Sequence, residues 1–332
     1  MKRLVVLVLM FGLLSGVGLF ASGSAEGEMM DSGELVFAHL GSEDTAYHKG
    51  AMRFGERLEE LTDGRFTIEI FPNGTMGDEG ELFEQQTVGQ LDFSIVNPGK
   101  IVEFAPTANI FSIPFMWRDI DHWNSVLGGE IGEEIGNAIL EESNVKVIGY
   151  FGGGVRNVIS RKELTGIESL EGMKLRTNQT EPVIAAWSAL GANPVPYAYQ
   201  EVYTGLQTGA IDGLLNESEW VEIMGFHEVA PYIGQSEHEI TVRFFTMAGD
   251  TWNQLSAEDQ EAFMQAAADA SEYARELQLE IDMEAFERLQ EEGAIPVEFD
   301  KERMQEIVRE PVLEAASDLG LADLYTRIQE AQ

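Results

Sequence analysis

Residues 256–293 carry the feature that most limits how this chain can fold. Ser256 is placed as a helix N-cap with Asp259 three residues on. Phe263, Ala267, Ala270, Ala274, Leu277, Ile281 and Leu289 then recur along one stripe, and Gly293 closes the segment. A helix of some 35 residues spans roughly 50 Å at 1.5 Å per residue, longer than one small domain is wide. The stripe keeps no sustained heptad, so a coiled-coil seam fits poorly. A helix bridging two domains fits the length, and a chain of 332 residues supplies enough sequence for two.

Upstream, short strands alternate with helices. Residues 35–39 form a buried strand, and 47–61 show helical spacing at Met52, Phe54, Leu58 and Leu61 before Gly64. Residues 65–71 alternate as a second strand, 79–88 suit a helix ended by Gly89, and 91–97 form a third strand. This order predicts βαβ units and a parallel sheet. Further on, 121–142 is expected to be one helix, and 145–151 a strand ending in three glycines at 152–154. Strands follow at 157–160, 173–177, 210–215 and 239–247, with helices at 181–190 and 201–207.

The first residues read as an address. Lys2 and Arg3 precede an uncharged apolar run at 4–14 and a Gly/Ser/Ala-rich exit, the layout of a secretory signal peptide over residues 1–25, with Ala21 and Ala25 both fitting as cleavage sites. An uncleaved anchor is the rival reading, weakened by the polar and small residues of 15–25. Export to the periplasm is the simplest expectation. The formal net charge is −37 with no cysteine, which argues against nucleic acid and anionic membrane partners and excludes disulfides, thiolate metal sites and a Cys nucleophile.

Searches for chemistry return nothing. There is no phosphate loop, no dinucleotide fingerprint and no nucleophile elbow, and the five histidines never stand three or four apart. The sequence therefore gives no positive evidence for catalysis, and no metal or cofactor is expected.

The stretch from 170 to 216 is more telling. It runs Leu170-Glu-Gly-Met-Lys-Leu-Arg-Thr177, then Leu190-Gly-Ala-Asn-Pro-Val-Pro-Tyr-Ala-Tyr199, then Glu201-Val-Tyr-Thr-Gly-Leu-Gln-Thr-Gly209 and Asp212-Gly-Leu-Leu-Asn216. This closely resembles the extracytoplasmic solute-binding proteins of TRAP (tripartite ATP-independent periplasmic) transporters, the C4-dicarboxylate-binding type. Phe71-Pro-Asn-Gly-Thr-Met-Gly77, Gly89-Gln-Leu-Asp92 and Ile113-Pro-Phe115 extend the likeness over the rest of the exported chain.

The resemblance implies an α/β, two-domain periplasmic-binding-protein-like fold with hinge segments and a long domain-spanning helix. Residues 34–153 plus 242–281 would form domain I, and 154–241 plus 282–332 domain II. A small organic acid would be closed between them and delivered to the membrane subunits of a TRAP transporter. Arg176 matches the arginine that grips the ligand carboxylate, a planar fork that lysine cannot imitate. Arg156 matches a second arginine, and Asn216 an asparagine bonded to the same end of the ligand. Leu215 departs from the pattern, standing where an acid usually precedes that asparagine. Tyr199, with Tyr197 beside it, matches an aromatic wall position. Asn97 ends a strand at a cleft edge, and Glu79 and Lys100 sit where some members contact polar groups. Sialic-acid-binding members carry an acid at the Asn97 position and an arginine at the Lys100 position, so that ligand is not expected. His39, Trp117, Trp220 and His238 complete the candidate lining, a mixture that suits a hydroxylated acid such as a sugar acid.

Two alternatives stay open at this level. One is a receptor of the same architecture serving an ATP-driven importer or a sensor; the other is a secreted α/β enzyme. The arginines themselves have a plainer reading as surface ion pairs among abundant acids.

Overall fold

The structure, a computed structural model, describes residues 29–331; the leader expected over 1–25 lies outside the described residues. The first lobe begins with β1 (Gly33–Ala38), α1 (Ala46–Leu61), β2 (Phe66–Phe71), α2 (Glu79–Thr87) and β3 (Phe93–Val96). Then come α3 (Ile120–Leu127), α4 (Glu130–Ser143) and the long β4 (Val145–Ser160). The second lobe follows with β5 (Lys174–Arg176), α5 (Glu181–Ala189), β6 (Asn193–Val195), α6 (Val202–Thr208), β7 (Gly213–Asn216) and α7 (Ser218–Ile223). The chain returns through β8 (Tyr232–Ala248), α8 (Gly249–Asn253) and α9 (Ala257–Glu291), and ends with β9 (Ile295–Glu298), α10 (Lys301–Asp318) and α11 (Ala322–Glu330).

The strand order is β2-β1-β3-β8-β4-β7-β5-β6, with β9 on β8. The parallel βαβ pairing expected from the sequence is present within each lobe, as β1 with β2 and β3, and as β5 with β6 and β7. The sheet is nonetheless mixed, because β3 and β4 each pair antiparallel with β8. β4 and β8 run the length of the molecule as a two-stranded ribbon shared by both lobes.

Two expectations from the sequence are corrected here. The glycines at 152–154 do not end a strand; β4 continues through them, and its register with β8 slips between Gly152 and Val155. Gly152 has φ +107°, and a Cβ there would sit 2.4 Å from the Thr241 carbonyl oxygen. Only glycine lets the two strands stay this close while the ribbon changes course. The helix expected over 121–142 is two helices, parted at Gly128 and Gly129, where a Cβ would meet the carbonyls of Asn124 and Ser125.

The long helix exists over 35 residues. Its first half packs Phe263, Ala266, Ala267, Ala270 and Ala274 into the aromatic core of the first lobe, around Phe37, Phe54, Phe93 and Phe245. Its far end places Leu289 in the core of the second lobe, with Val202, Leu206 and Phe226. Leu277 and Ile281, expected on the buried stripe, are only half-buried; Gln278 and Asp282 occupy the inward face instead. The helix is polar where it passes the junction of the lobes.

The C-terminal helices follow a path of their own. α10 packs on α5 of the second lobe, whereas α11 returns to the first. There His122 Nε2 lies 2.8 Å from the Ile328 carbonyl, Arg118 donates to the Gln329 and Ala331 carbonyls, and the Gln329 amide donates to the Met116 carbonyl. Among the described residues no helix is long and apolar enough to cross a membrane.

Candidate functional site

A cavity of about 200 Å³ opens between the lobes where the parallel strands end. Leu40 follows β1, Asn97 follows β3, Arg176 is the last residue of β5 and Asn216 the last of β7. Side chains at C-terminal strand edges face a shared crevice, as open α/β sheets require. The first lobe contributes Leu40, Tyr47, Asp78, Glu79, Asn97, Lys100 and Arg243, and the second contributes Arg156, Arg176, Asn178, Tyr199, Gln200, Asn216 and Trp220. A smaller extension beneath is walled by Phe111, Ser112, Thr177, Leu215 and Glu239.

Arg176 is half-buried, and its Nε donates to the Tyr197 carbonyl at 3.2 Å. Its guanidinium carbon lies 5.5 Å from the centroid of the Tyr199 ring. Among the described residues no carboxylate pairs with it, while burial first and Arg156 second lower its pKa from the ordinary arginine value. Both terminal nitrogens are left for a bidentate acceptor, and a charge held this way gains most from an anion.

Arg156 presents a contrast. Its Nε donates to Glu217 at 3.1 Å and its Nη1 to Glu239 at 3.0 Å. Arg243, on β8, donates to the other oxygen of Glu217 at 3.2 Å. Burial pushes the Glu217 carboxyl up, but Arg156 and Arg243 more than offset it and hold the group below the usual carboxylate range. Asn216 donates its amide to the Tyr199 hydroxyl at 3.0 Å, which orients the ring under Arg176. Burial raises the hydroxyls of Tyr199 and Tyr47, so both remain phenols at physiological pH.

The opposite wall is acidic and hydrogen-bonding. Asp78 caps α2 through the backbone nitrogens of Gly80 and Glu81, leaving Glu79 at the first helical position facing the cavity. Burial raises the Glu79 carboxyl, partly offset by Arg243 and Lys100. Asn97 accepts from the Gly99 nitrogen at 2.8 Å, which leaves its amide donors for the cleft.

Of the residues singled out in the sequence, Arg176, Arg156, Asn216, Tyr199, Asn97, Glu79, Lys100 and Trp220 are brought to one cavity. Four others are not. Tyr197 serves through its carbonyl, while its ring covers Gly205 on α6, where a Cβ would meet it at 2.7 Å. His39 is fully buried against His48, 3.2 Å away, and burial lowers its pKa to about 4. His238 bonds Ser236 at 2.8 Å and stacks edge-on to Trp187. Trp117 packs in the core beside Phe111. His39, His238 and Trp117 are aromatics that the core absorbed, whereas Tyr197 is half-buried.

Sequence reasoning missed Tyr47, Asp78, Asn178, Gln200 and Arg243. Arg243 alone left a signal: a cation inside the apolar run Val242-Arg-Phe-Phe245 must be buried with a partner. That partner is Glu217, one residue beyond Asn216.

Behind the cleft, α9 meets the lobe junction through Asp282, which accepts from the backbone nitrogens of Val155 and Glu219, both at 3.1 Å. Gln278 donates to Glu219. Burial lifts the carboxyl of Glu219 to about 7, Gln278 pulling it down and Glu217 and Asp282 pushing it further up. Burial also lifts Asp282 to about 6. A raised carboxyl means the folded state holds a proton that the unfolded chain releases, so this contribution is full below pH ~4 and is lost as pH rises through 6–7. The buried neutral histidines His39 and His238 act in the opposite sense up to pH ~6.5, so the comparison is with a variant: the melting temperature of the unliganded protein relative to that of Glu219→Gln is expected to fall between pH 5.5 and 7.5. Equal slopes in the two proteins would refute the assignment.

Residues 37–317 match the profile of the bacterial extracellular solute-binding protein family 7. The chain belongs to that family. Family 7 members are solute-binding proteins rather than enzymes, and the family is extracytoplasmic. This family 7 chain is 38% identical over 302 residues to a solute-binding protein of Roseobacter denitrificans, covering 91% of this chain and 92% of the relative. Among solved structures it is similar, at TM-score 0.84 and 32% identity, to a TRAP periplasmic solute-binding protein from Sulfitobacter with bound α-D-taluronate, over 90% of this chain and 97% of that one. A second, from Roseobacter denitrificans with bound L-galactonate, matches at TM-score 0.80 and 37% identity over 91% and 100%.

Proposed function

We propose that this chain is the periplasmic receptor of a TRAP transporter and captures a sugar acid, a six-carbon polyhydroxylated carboxylate of the uronate or aldonate kind. The observation that carries the reading is Arg176, a guanidinium at the mouth of β5 with two free donors and no protein carboxylate. The carboxylate of the ligand would lie on Arg176 beside Asn216, its chain over Tyr199 and Trp220, and its hydroxyls toward Glu79, Asn97 and Asn178. The taluronate and galactonate held by the two similar structures support this class.

Export through the leader at 1–25 and hand-over to membrane subunits belong to the same reading. So does a division into 34–153 plus 242–281 and 154–241 plus 282–332. The register slip at 152–155 supports a hinge there, and α11, although it follows the second unit in sequence, would strap it to the first. Closure about that hinge would exclude water from the arginine–carboxylate pair and strengthen it.

A thermal-shift screen over uronates, aldonates, C4 dicarboxylates, amino acids and neutral sugars tests the ligand class. A ligand at a thousandfold its Kd adds about 4 kcal/mol, a rise of roughly 5–10 °C for a chain of this size. Uronates or aldonates are expected to give that rise and neutral sugars none. A flat response to both acid classes, with a shift for amino acids or neutral sugars, would overturn the proposal.

A further inference from the structure

We infer that Glu217 is a specificity residue that restricts the cleft to ligands with a single carboxylate. The inference rests on the sugar-acid reading above and deepens it. Three arginines line one cavity, and counted as cations alone they would favour a dicarboxylate. Glu217 changes that count. It is 1% exposed, does not itself line the cavity, and divides its two oxygens between Arg156 and Arg243. Glu239 takes a second nitrogen of Arg156, and the Arg243 Nη1 is held by the Val242 carbonyl.

The other two arginines are thereby neutralised and pinned, and their remaining donors act as the donors of neutral groups would. Of the three arginines only Arg176 keeps an unbalanced charge among the described residues, and the remaining cation of the lining, Lys100, stands against Glu79, whose carboxyl it helps to lower. At the far wall Glu79 faces the same space, where a second ligand carboxylate would meet a like group and a hydroxyl would find an acceptor. Discrimination of this kind works through the repulsive element as much as the attractive one. One acid group and many hydroxyls is the chemistry the cleft accepts.

The test uses galactonate and galactarate, open-chain acids that differ only in the exchange of a terminal CH2OH for a carboxylate. Calorimetry on the wild-type protein is expected to give at least thirtyfold tighter binding of galactonate. Glu217→Gln keeps the shape and releases Arg156 and Arg243, and it is expected to narrow that ratio at least tenfold, with galactarate binding gaining a steeper salt dependence. A merely structural role would weaken both acids alike and leave the ratio unmoved. Glu239→Gln, which frees one nitrogen of Arg156 from a more exposed position, is expected to narrow the ratio by a smaller factor, and it carries the test if Glu217→Gln does not fold. A ratio unchanged within twofold, with galactonate still bound, overturns the role of Glu217 alone. Wild-type protein that binds no uronate and no aldonate overturns the ligand reading itself.

Discussion

Replacing Arg176 with alanine is expected to weaken sugar-acid binding at least a hundredfold, about 2.7 kcal/mol, while the unliganded protein melts at the wild-type temperature or slightly above it. The two halves of that expectation have one cause. Among the described residues Arg176 makes a single hydrogen bond, to the Tyr197 carbonyl, and otherwise carries a partly buried charge that Arg156 repels. Its removal relieves the apo protein and strips the complex of a bidentate, charge-assisted pair. Arg176→Lys keeps the charge and loses the fork, and should recover only part of the affinity. Arg156→Ala is the contrasting control: it leaves buried Glu217 to Arg243 alone, takes from Glu239 its ion-pair partner, and lowers stability and affinity together. Calorimetry with the best acid from the thermal screen, beside a melting curve of each apo protein, separates these outcomes. An affinity within threefold of wild type in Arg176→Ala would remove the carboxylate from this arginine.

Much of this was legible because it is local. β5, which ends at Arg176, lies within the strand expected over 173–177 after the glycine turn at 172, and the motif order around it pointed to the ligand end. α1, α2, α5 and α6 lie within about two residues of where spacing and glycines put them. Arg243 and Tyr47 were not legible as lining, since they come from an antiparallel return strand and a first helical turn far apart in the chain. Their meeting depends on the strand order β1-β3-β8, which no local pattern encodes. The histidines failed in the other direction. A polar aromatic on a strand is ambiguous between core and cleft, and His39 and His238 found partners inside.

The long helix shows most clearly how the reading failed. Its length, both caps and its inward face toward each end were legible, and its face at 277 and 281 was not, because apolar residues alone were followed there. At 277 and 281 the apolar stripe turns away from the inward face, which continues through Gln278 and Asp282. A buried polar position on a bridging helix is what a junction needs: the backbone that bends there has donors to satisfy, and a leucine cannot satisfy them.

Asp282→Ala therefore carries the largest expected loss of stability. Asp282 holds the Val155 nitrogen at the bend of β4 and the Glu219 nitrogen at the start of α7, a six-residue helix with no side-chain cap of its own. Two buried donors left unpaired cost about 1–3 kcal/mol each, and relief of the repulsion from Glu217 and Glu219 returns some of it, so a net loss of about 2–4 kcal/mol is expected. Asp282→Asn keeps one acceptor oxygen and should lose about half as much. Urea unfolding measures both, and the order Ala worse than Asn is the decisive part, because a cavity effect alone would spare Asn entirely. The loss should also reach the ligand. Asn216 and Trp220 flank the start of α7, so a frayed α7 loosens the carboxylate end of the cleft, and affinity should fall severalfold even at concentrations of urea where the protein remains folded. Equal stability in Asp282→Ala and wild type, or undiminished affinity in a clearly destabilised variant, would separate α9 from the site and leave the long helix as packing alone.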